Sequence, residues 1–311
     1  GPGDAPEDAG AARDAGAARD AGSGRDAGSG RDAESGRDAG PQPIDAPAET
    51  WTWVDVAGAR CMNDTPTGIG VNLVPGATTA VIFLQGGNAC FNQASCAITA
   101  NTDGFGREDF EAELSRIEGR SAFARDERNP FADASYVYVP YCTGDIHAGN
   151  EPNGQVAGQS YAFVGYRNME LYLDRLVPTL AGVTEVALVG ISAGGFGAAL
   201  DFDLVQRRFG RGVRVTLIDD SGPPMGSAFL AGCLQAHFRT LWNLDAGALQ
   251  SCDACSTDPS RPFVEDFLAF ILSEHPDRNF AFLTYDADQI IRGFWGYGQN
   301  GCAGLNNLLP P

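Results

Sequence analysis

Gly190-Ile191-Ser192-Ala193-Gly194 follows the apolar run Val186 to Val189 directly and opens a helix-compatible stretch from Gly195 to Arg208. The chain must therefore pass from strand to helix within a few residues, and glycines flank the serine because side chains there would collide across so sharp a turn. The serine hydroxyl is held above the end of a sheet, at the N-terminus of a helix whose dipole favours developing negative charge. A glycine-rich strand-to-helix turn is common, and five residues alone are a weak match. The strand before and the helix after are what mark Ser192 as a nucleophile.

The rest of the chain repeats that alternation. Thr79 to Leu84, Tyr136 to Val139, Glu185 to Val189, Arg214 to Ile218 and Asn279 to Leu283 each read as a buried strand. Between the second and third, Phe163, Tyr166, Met169, Tyr172, Leu173 and Leu176 fall at helical spacing and predict a helix over 161–180. Strand, helix and strand in repetition imply an α/β fold with a mostly parallel sheet and right-handed crossovers. Residues 227–275 are helix-like and carry three cysteines, which predicts a lid insertion over the sheet's carboxyl edge.

Composition sets limits on function. The 311 residues suffice for one large domain, and a net charge of −19 repels the phosphates of nucleic acid and an anionic membrane surface. No run of about 18 apolar residues is present to form a transmembrane segment. Eight cysteines favour disulfides and an oxidising compartment, although pattern alone cannot choose their pairing. The start, Gly1-Pro2-Gly3, reads as a processed or recombinant N-terminus from which an export signal has been removed. Residues 13–40 repeat Arg-Asp-Ala-Gly-Xaa-Xaa with no apolar side chain larger than alanine, so burial cannot offset their ordering entropy. Residues 1–50 are expected to be a disordered acidic tail, a spacer or tether, with the catalytic domain over 51–311. A secreted, periplasmic or cell-surface-tethered bacterial-type protein follows from these features together.

Leu84-Gln-Gly-Gly-Asn-Ala-Cys90 ends the first strong strand. Acyl transfer needs backbone N–H groups aimed at the reacting carbonyl oxygen, and a Gly-Gly turn permits close approach. Gly87 or Asn88 would supply one donor and Ala193 the other, as in α/β-hydrolases. A phosphate loop is the competing reading, but its lysine and glycine spacing are missing. At this point the chain resembles the pectin acetylesterase and Notum family of α/β-hydrolase carboxylesterases, from about Cys61 to Gln289. The resemblance rests on Cys61-Met-Asn-Asp-Thr-Pro-Thr-Gly68, on Leu84 to Asn92, on Pro140-Tyr-Cys-Thr-Gly-Asp145, on Ser192-Ala-Gly-Gly195 and on Asp220-Ser-Gly222. Asn88 departs from it, since a tryptophan is more usual there.

The resemblance implies a serine carboxylesterase that forms an acyl-enzyme, needs no cofactor or metal, and acts on O-acetyl groups of a polysaccharide. Short-chain esters and polyesters remain open, and a polyanionic substrate such as pectin fits poorly with so acidic a chain. For the triad acid, position alone leaves Asp219 and Asp220 beside Asp286 and Asp288. The family's Asp-Xaa-Xaa-Gln context favours Asp286, with Asp288 second, while Asp219 and Asp220 also read as strand-end turn formers. The base should follow the acid in chain order. No histidine follows Asp286, so a further C-terminal segment is expected to carry it, with His147 as the candidate inside the chain. His237 reads as lid packing and His275 as an exposed loop residue. The rival from another class is a surface binding protein that kept the fold and lost the base. The family-like cysteine blocks imply that Cys61 pairs with Cys142 and Cys90 with Cys96. Cys233, Cys252, Cys255 and His237 have a zinc-like spacing, but a disulfide-stapled lid is the simpler reading. Phe163, Tyr166, Phe294, Trp295 and Tyr297 are candidates for an aromatic groove, the first two equally for core packing.

Overall fold

The computed structural model describes residues 42–118 and 122–310. The expected disordered repeat therefore lies outside the described residues, but its boundary moves. Residues 42–50 belong to the folded unit: Ile44 is buried, its N–H donates to Thr179 Oγ1 at 2.7 Å, and Arg175 Nε donates to the Gln42 carbonyl. One isoleucine in a polar, proline-rich stretch suffices to anchor the segment.

Among the described residues nine strands form: β1 (Thr52–Arg60), β2 (Pro66–Asn72), β3 (Thr79–Leu84), β4 (Ser135–Val139), β5 (Glu151–Val156), β6 (Gln159–Phe163), β7 (Glu185–Ile191), β8 (Arg214–Asp220) and β9 (Asn279–Leu283). Seven make one sheet in the order β1-β2-β4-β3-β7-β8-β9, antiparallel at its β1-β2-β4 end and parallel from β4 to β9. β5 and β6 are a separate hairpin. Helices α1 (Gln93–Cys96), α2 (Arg107–Glu118), α3 (Gly165–Thr179), α4 (Ala193–Phe209), α5 (Gly232–Leu241), α6 (Val264–Glu274) and α7 (Gln289–Gly296) join them.

Alternate side chains of the central strands feed two cores. Ala80, Ile82, Leu84, Val137, Val139, Val186 and Leu188 pack on the side that carries α4. Val81, Phe83, Tyr136, Tyr138 and Ala187 join Trp53, Phe105 and Phe110 on the other. A period of two along a strand produces this division, and strands buried on both faces read as unbroken apolar runs. α4 is buried along most of its length, which its run of Gly and Ala permits, and it fixes the elbow against β7 and β8.

All eight cysteines pair: Cys61 with Cys142, Cys90 with Cys96, Cys233 with Cys302, and Cys252 with Cys255. The first two are the bridges that the family-like blocks imply. The lid segment holds α5 and α6, tied to the C-terminal residues through Cys302 and braced within by Arg239, which pairs with Asp245 and the Ser256 carbonyl.

Candidate active site

Ser192 lies between β7 and α4 with φ 56° and ψ −121°, a left-handed conformation that a residue with a Cβ adopts only under constraint. The constraint is visible in the backbone. Ser192 N–H donates to the Asp220 carbonyl at 2.7 Å, and the Ser192 carbonyl accepts from Gly195 N–H and Phe196 N–H. A Cβ on Gly194 would collide with the Leu84 carbonyl, and one on Gly190 with the Gly194 backbone. Both flanking glycines are thus required by close approach. Strain of this kind amounts to about 1–3 kcal/mol. Among the described residues no side chain hydrogen-bonds Ser192 Oγ.

The Gly86-Gly87 turn lies beside the serine, since a Cβ on Gly86 would sit 3.1 Å from Ser192 Cβ. Several bonds fix the turn. Gln85 Oε1 accepts from Tyr141 N–H at 3.0 Å, Ala100 N–H donates to the Gly87 carbonyl at 2.9 Å, and Asn88 Nδ2 donates to the Ile98 carbonyl at 2.7 Å. Asn88 itself has φ 67°, and Cys90 is held by its disulfide and by the bond from its N–H to the Gly144 carbonyl. Among the described residues, the backbone N–H groups of Gly87, Asn88 and Ala193 donate to no protein group. Asn88, Ala193 and Ser192 line one cavity. Stabilisation of a tetrahedral oxyanion requires unsatisfied donors beside the hydroxyl.

That cavity has a volume of about 60 Å³ for the centres of water-sized groups, and its walls are apolar: Phe91, Phe196, Leu230, Trp242, Ile291 and Phe294 among them. Trp295 also lines it, whereas Phe163 and Tyr166 are core residues and Tyr297 packs on Phe91. A second, open groove of about 640 Å³ shares Ile291 and Trp295 with the cavity and has a more polar wall of Thr284, Asp286, Asp288, Arg292 and Gln299.

The four candidate acids occupy different environments. Asp286 is exposed on the groove wall. Asp288 caps α7, accepting from Ile290 N–H and Ile291 N–H at 2.9 Å each. Asp220 accepts from Ser221 Oγ at 2.8 Å. Asp219 is fully buried behind the elbow, where a Cβ on Gly195 would collide with its Oδ1. Its Oδ1 accepts from Gly222 N–H at 2.9 Å while Oδ2 has no partner. Burial pushes the Asp219 carboxyl up to about 7, aided by the charge of Asp220 and opposed by the Gly222 bond.

None of the three histidines lines the cavity with Ser192. His147 is 3% exposed, its Nε2 lies 2.9 Å from the Gln85 carbonyl, and burial pushes it down to about 4. His237 Nε2 lies 2.7 Å from the Phe91 carbonyl, within the lid packing. His275 is not the exposed loop residue expected: it caps α6, is half-buried, and its Nε2 lies 2.9 Å from Asp203 Oδ1. The residue precedes a proline, but the α6-to-β9 connection folds back onto α4 and carries it inward. Sequence reasoning also missed Phe196, Leu230, Trp242 and Ile291, whose apolar character gave no sign that they converge.

A family model described as pectinacetylesterase matches residues 48–265. The palmitoleoyl-protein carboxylesterase NOTUM of Schmidtea mediterranea is 36% identical over 136 residues, covering 41% of this chain and 24% of that protein. The human protein of the same description is 27% identical over 168 residues, covering 52% of this chain and 34% of that one. The chain thus spans about a third or less of the length of these curated relatives. The crystal structure of the Wnt deacylase Notum from Drosophila superposes with a TM-score of 0.58 at 20% identity, covering 80% of this chain and 75% of that one. At that identity the likeness speaks for the fold: a mostly parallel α/β-hydrolase-like sheet with helices.

Proposed function

The chain belongs to the pectinacetylesterase family, and we propose that it is a serine carboxylesterase whose nucleophile is Ser192. Ser192 Oγ attacks the ester carbonyl, a base takes the hydroxyl proton, and the N–H groups of Ala193 and of Gly87 or Asn88 receive the negative charge on the carbonyl oxygen. Collapse of that intermediate expels the alcohol and leaves an acyl-Ser192, which water hydrolyses. Asp286, on the groove wall beside the cavity, is the carboxylate assigned to orient the base. The observation that carries the reading is the strained serine lining an apolar cavity together with Asn88 and Ala193, whose N–H groups have no protein acceptor among the described residues.

The same cavity supports a choice of acyl group. Its walls are apolar and Ser192 is among them, so it suits the acyl side of an ester. The groove, with hydroxyl, carboxylate, guanidinium and amide groups, suits a hydroxyl-rich alcohol such as a neutral polysaccharide, a setting consistent with an extracellular protein.

A second reading rests on a specific observation: no imidazole lines the cavity among the described residues. The fold would then bind acyl esters without turning them over. Hydrolysis of p-nitrophenyl esters from acetate to decanoate, with Ser192→Ala as the control, separates the two. The esterase reading expects Ser192-dependent release that is faster for apolar acyl chains than for acetate, and an acetate maximum would overturn the acyl assignment. Release that Ser192→Ala leaves unchanged, with ester binding retained, would establish the second reading.

A further inference from the structure

His147 is the candidate base within the chain, and its surroundings give it a different task. A carbonyl oxygen only accepts, so the nitrogen 2.9 Å from the Gln85 carbonyl carries the proton and the ring is the neutral Nε2–H tautomer. That bond joins it to the backbone one residue before the Gly86-Gly87 turn. We propose that His147 is a positioning residue for the oxyanion loop, holding the Gln85 carbonyl and, through it, the plane from which the Gly87 and Asn88 donors are presented.

The geometry supports this from several sides. The Gln85 carbonyl is wedged between His147 and the start of α4, where a Cβ on Gly194 would lie 2.9 Å from it. Because a peptide unit is planar and trans, fixing that carbonyl fixes the direction of the Gly86 N–H, and so where the Gly86-Gly87 turn sets out. The ring is itself enclosed. Tyr141 packs on it with centroids 4.8 Å apart, and a Cβ on Gly197 would lie 2.9 Å from His147 Cβ and 3.0 Å from Cδ2. A Cβ on Gly165 would lie 2.5 Å from His147 Cα. Tyr141 Oη accepts from Ile146 N–H at 2.9 Å, and Asp145 accepts from Gly149 N–H and Gly165 N–H, so the loop that carries the histidine is anchored on both sides. The titratable neighbours are Tyr141 and Asp145, and burial keeps both in their neutral forms over a wider pH range than usual. Burial likewise disfavours the imidazolium that a base must become.

The proposal rests on the esterase reading for its consequence, but not for its geometry, and the experiment separates them. His147→Gln keeps an N–H that can reach the Gln85 carbonyl and has no basic lone pair; His147→Leu keeps bulk and loses the donor. Two measurements are made on the full chain: hydrogen exchange of the Gln85, Cys90 and Ala100 amides, which bond to the Val139, Gly144 and Gly87 carbonyls around the loop, and the rate of Ser192 acylation by p-nitrophenyl butyrate. The expected result is that His147→Gln exchanges like the wild type and acylates within about threefold of it. His147→Leu exchanges faster and acylates about ten- to a hundredfold more slowly, as a misplaced donor set would. Loss of acylation in both variants with exchange unchanged would make His147 the base and overturn the proposal, as would a His147 imidazole that titrates between pH 6 and 7 by NMR. If the wild type shows no Ser192-dependent acylation, the esterase reading fails, and exchange alone decides whether His147 holds the loop: protection equal in His147→Leu and wild type would refute it.

Discussion

Asp219→Asn should make the domain more stable at neutral pH than the wild type and no more stable at pH 4. The carboxyl is fully buried with one oxygen unpartnered, and it ionises near pH 7 instead of at its ordinary value near 4. Its folded value lies above its unfolded one, so between pH 4 and 7 the unfolded chain has already released a proton that the native state retains. The native state then binds more protons, and stability falls as pH rises through that window. The slope is roughly 1.4 kcal/mol per pH unit, giving about 4 kcal/mol across the window and a plateau above it. Asparagine retains the oxygen that accepts from Gly222 N–H and does not ionise. Asp145 and Asp201, also buried carboxyls pushed upward by desolvation, titrate in both proteins and cancel in the difference. Urea unfolding of the oxidised proteins at unit intervals from pH 4 to 8 measures it. A difference that stays constant with pH, or that grows in favour of the wild type, would refute the placement of Asp219 as a buried, late-ionising acid.

Two further outcomes concern stability. Cys61 and Cys142 lie 81 residues apart and Cys252 and Cys255 only 3, so in the chain-entropy account the first bridge contributes roughly 4–5 kcal/mol and the second about 2. Alanine at Cys61 and Cys142 should therefore lower the melting temperature at least twice as much as alanine at Cys252 and Cys255, and equal shifts by calorimetry would contradict this. Removing residues 1–41 should leave the melting temperature unchanged, because their composition offers no apolar anchor. Removing residues 1–50 takes away buried Ile44 and its bond to Thr179, about 2–4 kcal/mol, and should lower it by several degrees. Identical melting of the two shortened proteins would place the folded boundary after residue 50.

Much of the sheet was legible because strands buried on both faces are written as unbroken apolar runs, as in β3, β4 and β7. The remaining strands hide for definite reasons. β2 carries Gly68 and Gly70, and a side chain at either would strike the Val54 backbone or the Phe110 ring; space for neighbours replaces the alternation that would have shown a strand. The β5–β6 hairpin turns at Ala157-Gly158, with φ 51° and 80°. Such a two-residue turn needs positive φ at both positions, and alanine at the first conceals it. Phe163 therefore falls in the helical spacing of α3 and starts the expected helix at residue 161, although residues 161–163 belong to β6 and the helix begins at Gly165.

The site divides along the same line between local and non-local information. Ser192 and the Gly86-Gly87 turn are local, because a sharp backbone path must be encoded by the residues that follow it. The acids are not: Asp219, Asp220, Asp286 and Asp288 share small, turn-forming neighbours, and only the fold separates an α7 cap, an exposed groove residue and a carboxyl buried against the elbow. His147 shows how little residue type alone says about a histidine's role. A histidine close to a strand end suggests a base, yet the fold supplies Gly165 and Gly197 to admit the ring and a carbonyl that accepts its N–H. The Gln85 carbonyl meets His147 on one side and the start of the helix that follows Ser192 on the other, so in the proposed site donors and serine are referred to a single peptide group. A displacement of that group would shift both halves of the site together, which is why changes at Gly197 or His147 should act on acylation without touching the ester.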